Sequence, residues 1–437
     1  MTSYQPTSMH TFLIVWGGQL VSTLGSQMTT FAISIWAWQL TGQATPLALI
    51  ALFTHVPTVV ASSFAGVFID RWNRKLMMMI GDAVAGFSTI AILSLLWTNH
   101  LEIWHLYIAG AINGLFGYVQ SLAASASMAM IVPKRHYTRA SAMTLARGYG
   151  SEIMAPAIAG VLYYVIGLSG ILLIDIVTFL FAITTLLLVT IPQPPPSEVG
   201  QQSRHWRSEL TFGFRYLWQR PSLLAVLLFL LGSNLVGSAG SIYSPMILAR
   251  SGGDAAVLGT ALAAAGIGGL AGAGVLSFWG GTKRHIHGLL LGNALANLSE
   301  MIAGLGRGLF VWVTAGFFGA FFSPWSNSAN QSIWVSKVEP DVQGRVFATR
   351  YLIAQIASPL GLAIAGPLAD YVFEPAMMPG GALSGLFGGI FGTGQGAGMA
   401  LQYTLSSVCC VAIALSGYAF RALRDVDVIV PDHDVAM

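Results

Sequence analysis

Charged residues are scarce in this chain of 437 residues: Asp, Glu, Lys and Arg make up 8% of it, and hydrophobic residues make up 55%. Such a composition excludes a protein whose whole surface faces water. The formal net charge of +3 is also too small for a nucleic-acid-binding protein, so we expect no nucleic-acid partner.

Cysteine is almost absent as well, since Cys409 and Cys410 are the only two and adjoin each other in an apolar stretch. They cannot build a disulfide framework or a Cys-x-x-Cys metal site. The sequence contains no phosphate-binding Gly-x-x-x-x-Gly-Lys-Ser/Thr loop, no Gly-x-Ser-x-Gly and no His-Glu-x-x-His, and its nine histidines are scattered. We therefore predict no cofactor, no metal site and no enzymatic activity.

The chain does contain long apolar segments separated by short polar breaks. Each segment is near the length of about 20 residues that a helix needs to cross a bilayer core. The segments lie at 12–38, 45–69, 75–98, 104–130, 139–165, 168–190, 221–248, 256–280, 286–306, 308–334, 345–372 and 397–421. The sequence thus predicts an all-α membrane protein with twelve transmembrane helices, arranged as two pseudo-symmetric six-helix bundles.

The basic residues give the orientation of these helices. Of the twenty Lys and Arg residues, eighteen lie in or near every second connection, and Arg250 and Arg307 lie on the other side. Because cytoplasmic connections carry the excess of basic residues, both termini are predicted to be cytoplasmic. We expect a multi-pass protein of the cell (inner) membrane that contacts lipids and is a monomer.

A proline run, IPQPPP, begins at Ile191 and separates the two sets of six segments. The segments Arg147 to Pro156 and Arg350 to Pro359 repeat one spacing in the two halves, as in a tandem duplication. The predicted organisation is an N-terminal bundle at 1–190, a cytoplasmic linker at 191–220, a C-terminal bundle at 221–423 and a cytoplasmic tail at 424–437.

Two connections carry further predictions. In the linker, apolar residues fall near helical spacing and basic residues occupy other positions, which indicates a helix lying flat on the inner leaflet, with a plain tether as the alternative. The apolar positions are Trp206, Leu210, Phe214 and Leu217. Nine glycines between Gly380 and Gly398 predict a mobile or re-entrant external loop, which either gates the outer mouth or is passive.

The connection after segment two carries the most specific motif, GVFIDRWNRK. It resembles the signature between helices two and three of the major facilitator superfamily at Gly66, Asp70, Arg71, Arg74 and Lys75. Phe68 and Asn73 depart from the signature, and Asn73 replaces a glycine with a residue that also tolerates a left-handed turn.

A second, decayed copy of the signature follows segment eight as GVLSFWGGTKR, with Gly274, Leu276 and Gly281 in place. The resemblance then covers nearly the whole chain. Within the superfamily the chain looks like the macrolide-efflux and enterobactin-exporter branch of drug:proton antiporters.

The resemblance implies a role for the signature loop. Asp70 is expected to accept hydrogen bonds at the start of segment eleven, near Val342 to Arg345, and so to latch the two halves together in the outward-open state. Arg71, Arg74 and Lys75 would hold the loop. The alternative is that these basic residues serve only as cytoplasmic anchors.

Proton coupling requires a carboxylate inside the bilayer that can change its protonation. The candidates are Glu152, Glu300 and Asp82, with Glu152 the first choice because it lies about halfway along segment five. Against this, Gly110 stands where many proton antiporters carry an arginine in segment four. Proton coupling is therefore implied by the resemblance and not by these residues.

Amide and hydroxyl side chains recur on segments four, seven and ten, and they either join helices or line a wet cavity. By analogy with the fold these segments line the substrate cavity. The candidate cavity residues are Asn113, Gln120, Asn234, Ser238, Asn327, Asn330 and Gln331. Aromatic residues near the same faces, among them Phe321, Phe322 and Trp325, would complete a cavity suited to amphiphiles.

These observations predict a secondary active transporter, a proton-coupled exporter of hydrophobic or amphiphilic small molecules that works by alternating access. A carrier of lipids or siderophore-like natural products is the alternative within transport. A non-transporting membrane receptor on the same fold is the alternative from another class.

Overall fold

Long apolar helices joined by short turns make up the computed structural model, which describes residues 9–191, 206–339 and 342–431. Within those ranges, side chains are not described at 63–71, 129, 134, 138, 206–211, 344–345 and 348. The described residues contain no strand, so the predicted all-α class is confirmed.

The first half contains five helices: α1 Met9–Thr41, α2 Ala44–Arg71, α3 Arg74–Trp97, α4 Ile103–Ile131 and α5 Tyr137–Leu188. The linker region contributes α6 Trp206–Trp218. The longer helices after it are α7 Pro221–Ala239, α8 Tyr243–Arg250, α9 Ala255–Trp279, α10 His285–Leu305, α11 Leu309–Lys337, α12 Gln343–Leu368 and α15 Ala397–Ser416. Short helices are α13 Glu374–Met377, α14 Ser384–Phe391, α16 Arg421–Arg424 and α17 Val426–Ile429.

Nine helical stretches in the described part of the chain are long and apolar enough to cross a membrane. Outside this set, α1 and α4 also reach spanning length, with 33 and 29 residues. Gly167, with φ 61° and ψ −171°, divides the 52-residue α5 at the predicted break between segments five and six. The nine stretches, the two further helices and the division of α5 into two are together consistent with twelve spans.

The chain forms two compact units, one of residues 1–42 and 49–202 and the other of residues 43–48 and 203–437. The division falls in the predicted linker, apart from the short segment at the start of α2. Within the second unit, the Asp370 carboxylate caps that segment by accepting hydrogen bonds from the backbone N–H groups of Ala44 and Thr45 at 2.9 and 2.7 Å. Such a cap satisfies donors that the first turn of a helix leaves open.

Asn73 is an N-cap residue and does not form the left-handed turn that its replacement of glycine suggested. Its backbone is extended, with φ −65° and ψ 114°, and its side chain accepts a hydrogen bond from the Leu76 N–H at 3.1 Å. The expectation was wrong because asparagine stabilises helix starts as readily as turns. In the second copy, by contrast, Gly280 and Gly281 do adopt positive φ values of 78° and 83° after α9.

Helix α6 packs within the second unit, and its position flat on the membrane stays a prediction. Tyr216 and Leu217 are buried in a core that also contains Leu223, Leu227 and Trp334. Phe214, assigned to the same apolar stripe as Leu217, is exposed instead. The side chains at 206 and 210 lie outside the described ones.

The glycine-rich external stretch, predicted to be a mobile or re-entrant loop, is folded in the structure, which disfavours the mobile alternative and leaves the re-entrant one a prediction. It contains α13 and α14, and Arg250 donates hydrogen bonds to the carbonyl oxygens of Phe391 and Gly396 at 2.9 and 3.2 Å. Glu374 accepts from the N–H groups of Gly396 and Met399 at 3.2 and 2.9 Å. These buried polar contacts offset the conformational freedom of the glycines.

A polar clasp closes the end of the second unit where α11 meets α12. Glu339 accepts hydrogen bonds from Tyr216 and from Arg220, the latter at 2.9 Å, and the Arg220 guanidinium lies 3.7 Å from the centre of the Tyr216 ring. Desolvation acts to raise the pKa of Glu339, but the Tyr216 hydrogen bond and the Arg220 charge outweigh it and lower that pKa. The clasp therefore favours the ionised carboxylate.

Replacing this carboxylate, as Glu339→Gln, should lower the unfolding temperature of the purified protein at pH 7 by about 1–3 °C. That shift corresponds to roughly 0.5–1 kcal/mol for a partly exposed ion pair. Because the folded pKa is depressed, the stabilisation is present above the ordinary pKa of 4.5 and is lost as pH falls through the lower folded value.

Thermal unfolding in detergent across this pH range measures the effect. Asp425→Asn is the matched control, since the exposed Arg424–Asp425 pair joins neighbours in sequence and ties no separate helices together. An equal loss in both variants would contradict the clasp.

Candidate functional site

The first unit buries the carboxylate of Asp82 between two amide side chains. Gln19 Nε2 donates to Asp82 Oδ2 at 2.8 Å, while Gln120 Nε2 donates to Asp82 Oδ1 and to Gln19 Oε1. The Asp82 residue is 4% exposed, and the Arg147 charge acts on it from α5. Asp82 on α3 thus interacts with side chains of α1, α4 and α5.

Close helix packing places these amides on the carboxylate. A Cβ on Gly81 would lie 2.6 Å from Gln120 Cβ, so glycine is required for α4 to approach α3 at this level. Gln120 is a predicted cavity residue and Asp82 a predicted proton site. The structure places both residues in one hydrogen-bonded cluster.

A second buried acid, Asp175, lies on the later part of α5. Ser26 Oγ donates to its Oδ1 at 3.1 Å and Thr89 Oγ1 donates to its Oδ2 at 2.8 Å. Ser26 follows Gln19 by seven residues on α1, and Thr89 follows Asp82 by seven on α3. The two acids therefore form layers about 10 Å apart along the same helix pair.

Glu152, the first choice for proton coupling, is exposed in the structure. It shares a face of α5 with the exposed residues Leu145 and Tyr149, whereas Ser151 and Ala155 turn inward. The expectation that Glu152 is buried was wrong, because its depth along the helix says nothing about its rotation around the axis. Its role in proton coupling stays a prediction.

In the second unit, Glu300 is half-buried on α10 beside two tyrosines. Its charge acts on Tyr243 and Tyr403, whose rings lie 5.7 Å apart. The Tyr243 hydroxyl donates to the Trp312 carbonyl oxygen at 3.1 Å. A Cβ added at Gly319 of α11 would lie 3.7 Å from Glu300 Cγ, so this part of α11 faces Glu300.

Aromatic rings form a continuous row along α11 next to this glutamate. Phe318 stacks on Phe322 at 6.5 Å, Phe322 contacts Trp325 at 6.5 Å, and Trp325 meets Trp279 of α9 edge-on at 5.2 Å. Phe318 is exposed and Phe322 and Trp325 are half-buried. The predicted aromatic residues on segment ten thus lie together on one helix.

Two predicted cavity residues on α7 join helices within the second unit. Asn234 Nδ2 donates to the Ala354 carbonyl oxygen at 3.3 Å, and Ser238 Oγ lies 3.4 Å from Ser358 Oγ. Both partners belong to α12. These contacts favour the helix-joining interpretation for this pair of residues.

The other predicted cavity residues differ in their surroundings. Asn330 Oδ1 accepts from Trp334 Nε1 at 3.0 Å, and Gln331 Oε1 accepts from Arg350 at 3.2 Å. Asn327, on the same helix, is exposed. In the first unit, Asn113 has a buried Oδ1 without a hydrogen-bond donor among the described residues.

The signature loop is only partly described. The side chains of Gly66, Asp70 and Arg71 lie outside the described ones, so the predicted latch of Asp70 stays a prediction. Arg74 donates to the Ala126 carbonyl oxygen of α4 at 2.8 Å, and Lys75 donates to the Val189 carbonyl oxygen after α5 at 2.7 Å. Both basic residues therefore hold α3 to its neighbours in the first unit.

A comparison with family models matches residues 15–362 to the Major Facilitator Superfamily. The chain belongs to the major facilitator superfamily. It is accordingly a multi-pass membrane transporter by family, and the resemblance seen in the signature loop is confirmed.

Named relatives within the superfamily agree with the predicted branch. The chain is 25% identical over 364 residues to macrolide efflux protein A from Streptococcus pyogenes, covering 83% of this chain and 90% of that protein. It is 24% identical over 226 residues to enterobactin exporter EntS from Shigella flexneri, covering 52% and 54%. A solved bacterial homologue of the human lysosomal transporter Spinster matches with a TM-score of 0.63 at 16% identity, covering 98% and 99%, which supports the fold alone.

Sequence reasoning missed two polar residues that organise the second unit. Gln402, which is buried on α15, donates to the carbonyl oxygens of Ala239 and Ala365 at 3.0 and 2.9 Å. Arg250 donates to the Gly304 carbonyl oxygen at 3.2 Å as well as to the external stretch. An isolated polar residue in an apolar run was the available signal, but it does not identify the partner.

The contrast between Asn234 and Asn327 gives a prediction for this superfamily member. Asn234→Ala should lower the free energy of unfolding by roughly 0.6–1.7 kcal/mol, because it removes an interhelical hydrogen bond inside the bilayer. Asn327→Ala, the matched control, should leave stability unchanged since the side chain is exposed. Thermal unfolding in detergent compares them, and equal stabilities would contradict a helix-joining role for Asn234.

Proposed function

We propose that this transporter is a proton-coupled exporter of hydrophobic or amphiphilic small molecules. Its family supports secondary transport by alternating access. Its similarity to macrolide efflux protein A supports export of drug-like amphiphiles.

The observation that carries the proposal is the buried Asp82 between Gln19 and Gln120. When Asp82 is ionised, each carboxylate oxygen accepts an amide N–H, as in the structure. When it is protonated, the new O–H requires an acceptor, and the amide oxygens of Gln19 and Gln120 are the groups within reach. One amide must then turn, so a proton on Asp82 changes the packing between α1, α3 and α4.

The charge of Arg147 affects which protonation state of Asp82 is favoured. Its positive charge favours the ionised form of Asp82 through space. Loading a proton removes that attraction and frees Arg147 on α5 from its electrostatic partner. A change at one carboxylate thereby reaches all four helices of the cluster.

Glu300 is the second proposed proton site, in the other unit. It is half-buried beside Tyr243 and Tyr403, whose hydroxyl groups are suited to exchange hydrogen bonds with either form of a carboxyl. It also adjoins the aromatic row on α11. A proton on Glu300 would therefore alter the polarity of a surface offered to substrate.

The aromatic row supports the proposed substrate class. Stacked Phe and Trp side chains bind ligands mainly by removing apolar surface from water, with few directional polar contacts. Sugars or amino acids would require denser polar pairing. Phe318, Phe322 and Asn327 are the side chains on α11 that we assign to substrate contact.

Transport in everted membrane vesicles tests the proton sites. Asp82→Asn should reduce substrate transport driven by a pH gradient at least about tenfold, because the amide cannot take up a proton. Asp254→Asn is the matched control and should retain transport, since that carboxylate caps α9 and asparagine caps a helix equally well. Substrate-induced proton release, followed by a pH dye, should disappear in Asp82→Asn only.

Two outcomes separate the parts of this proposal. Full proton-driven transport by Asp82→Asn would remove Asp82 from the mechanism. Active transport without any proton movement in the wild-type protein would remove proton coupling itself and leave the export proposal standing.

The latch at Asp70 is tested by Asp70→Asn. If the ionised carboxylate caps the start of α12, the variant should lose the bias toward the outward-open state, because an amide lacks the charge that a helix N-terminus favours. Accessibility of single cysteines to a membrane-impermeant thiol reagent measures that bias.

Asp254→Asn is the control for the latch, since Asp254 caps α9 through the N–H groups of Ala256 and Val257, and Asn caps a helix equally well. An unchanged accessibility pattern in Asp70→Asn would contradict the latch.

Export of siderophore-like natural products is the second candidate, favoured by the similarity to enterobactin exporter EntS. Competition by catecholate compounds against a fluorescent amphiphile in the same vesicles distinguishes the two substrate classes.

A further inference from the structure

The buried carboxylate of Asp175 is surrounded by neutral hydroxyl groups. The residue is 4% exposed, and its two oxygens accept separate hydrogen bonds from Ser26 and Thr89. No Lys or Arg side chain among those described pairs with it. A carboxylate buried in this way within a membrane-spanning helix requires a countercharge or a proton.

A third hydroxyl, from Thr29, lies beside this carboxylate and differs from the other two in its hydrogen bonding. Thr29 is 6% exposed, and its Oγ1 completes no hydrogen bond of acceptable geometry within the described residues. Thr23 and Thr30 on the same helix donate to the carbonyl oxygens four residues earlier, at 2.6 and 2.9 Å. Thr29 alone of these three leaves its oxygen available at the carboxylate.

Five oxygen atoms therefore converge at this point of the first unit: two from Asp175 and one each from Ser26, Thr29 and Thr89. Carboxylate and hydroxyl oxygens are the ligands of hard cations. A hydroxyl group can rotate its hydrogen away and offer a lone pair, so the hydrogen bonds of the structure do not exclude that role.

The charge at this point selects the kind of cation. One carboxylate neutralises a single positive charge, whereas a divalent ion would leave a net charge buried in the bilayer. We propose that Asp175, Ser26, Thr29 and Thr89 form a binding site for Na⁺.

The neighbouring Asp82 cluster shows why the site is confined to Asp175. The positive charge of Arg147 acts on Asp82 and disfavours a cation there, whereas no such charge acts on Asp175 among the described residues. At Asp175 the equivalent positions, seven residues further along α1 and α3, carry hydroxyl groups. The two layers therefore differ in the ligands they accept, although the helices are the same.

Gly25 allows the site to assemble. A Cβ at this position would lie 3.0 Å from Asp175 Oδ1 and 2.2 Å from Thr178 Oγ1, so a larger residue would separate α1 from α5. A bound Na⁺ would link α1, α3 and the later part of α5. Because it binds the folded state, it should stabilise the protein in proportion to its occupancy.

Thermal unfolding of the purified full-length protein tests the site, with NaCl exchanged against choline chloride at constant ionic strength and pH. The unfolding temperature of the wild-type protein should rise with Na⁺ and saturate. Asp175→Asn should abolish the rise, and Glu374→Gln, the matched control at a buried carboxylate of the second unit, should retain it. This readout is independent of transport, so the site and the proposed function stand or fall separately.

Thr29→Val gives the sharper test, because it removes one of the proposed cation ligands while Ser26 and Thr89 keep their hydrogen bonds to Asp175. The unfolding temperature of this variant in choline chloride is the reference for its Na⁺ titration. Its midpoint for Na⁺ should shift to about tenfold higher concentration if one cation ligand is lost. Thr30→Val, with the same change on an exposed hydroxyl of the same helix, should keep the wild-type midpoint.

Three results would overturn the proposal. The first is an unfolding temperature that does not depend on Na⁺ at constant ionic strength. The second is the same Na⁺ dependence in Asp175→Asn as in the wild type. The third is stabilisation of the wild type by low pH and not by Na⁺, which would assign a proton to Asp175 in place of the cation.

Discussion

A polar group buried among these helices is stabilised by a partner inside the protein, because the hydrocarbon core of a bilayer offers no water. This constraint explains most of the long-range contacts in both units. Gln402 donates to the carbonyl oxygens of Ala239 and Ala365, and Lys75 donates to the carbonyl oxygen of Val189 beyond the end of α5. Helix ends and isolated side chains thus determine how the apolar helices pair, where hydrophobicity alone would allow many arrangements.

Three buried carboxylates meet this need for hydrogen-bond partners with three different kinds of donor. Glu374 accepts two backbone N–H groups at the start of α15, Asp82 accepts two side-chain amides, and Asp175 accepts two hydroxyls. Backbone donors are fixed, so Glu374 has a structural role in holding the external stretch. Side-chain donors can rotate, which makes Asp82 and Asp175 the positions where a change of charge can alter the packing.

The sequence predicted the spans because hydropathy acts over about 20 residues and tolerates local errors. The break at Gly167 and the junction between the two units followed from the same signal. Rotation around each helix did not follow, as Glu152 shows, because an inward and an outward position differ by one residue on an apolar helix. Phe214 and Leu217 on α6 differ for the same reason. Partners such as Gln19 for Asp82 depend on which helices adjoin, which a single sequence does not contain.

Helices α1 and α3 both contribute polar side chains at two levels, around Asp82 and around Asp175, and the two levels differ in chemical character. Gln19 and Asp82 lie seven residues before Ser26 and Thr89, so the same geometry repeats with amides at one level and hydroxyls at the next. Amide N–H groups stabilise only a negative charge, whereas hydroxyl oxygens stabilise either a carboxylate or a cation bound to it. The glycines that permit each close approach, Gly81 and Gly25, belong to the same two helices. Small changes of side chain along one helix pair therefore suffice to separate a layer that senses protonation from a layer that holds an ion.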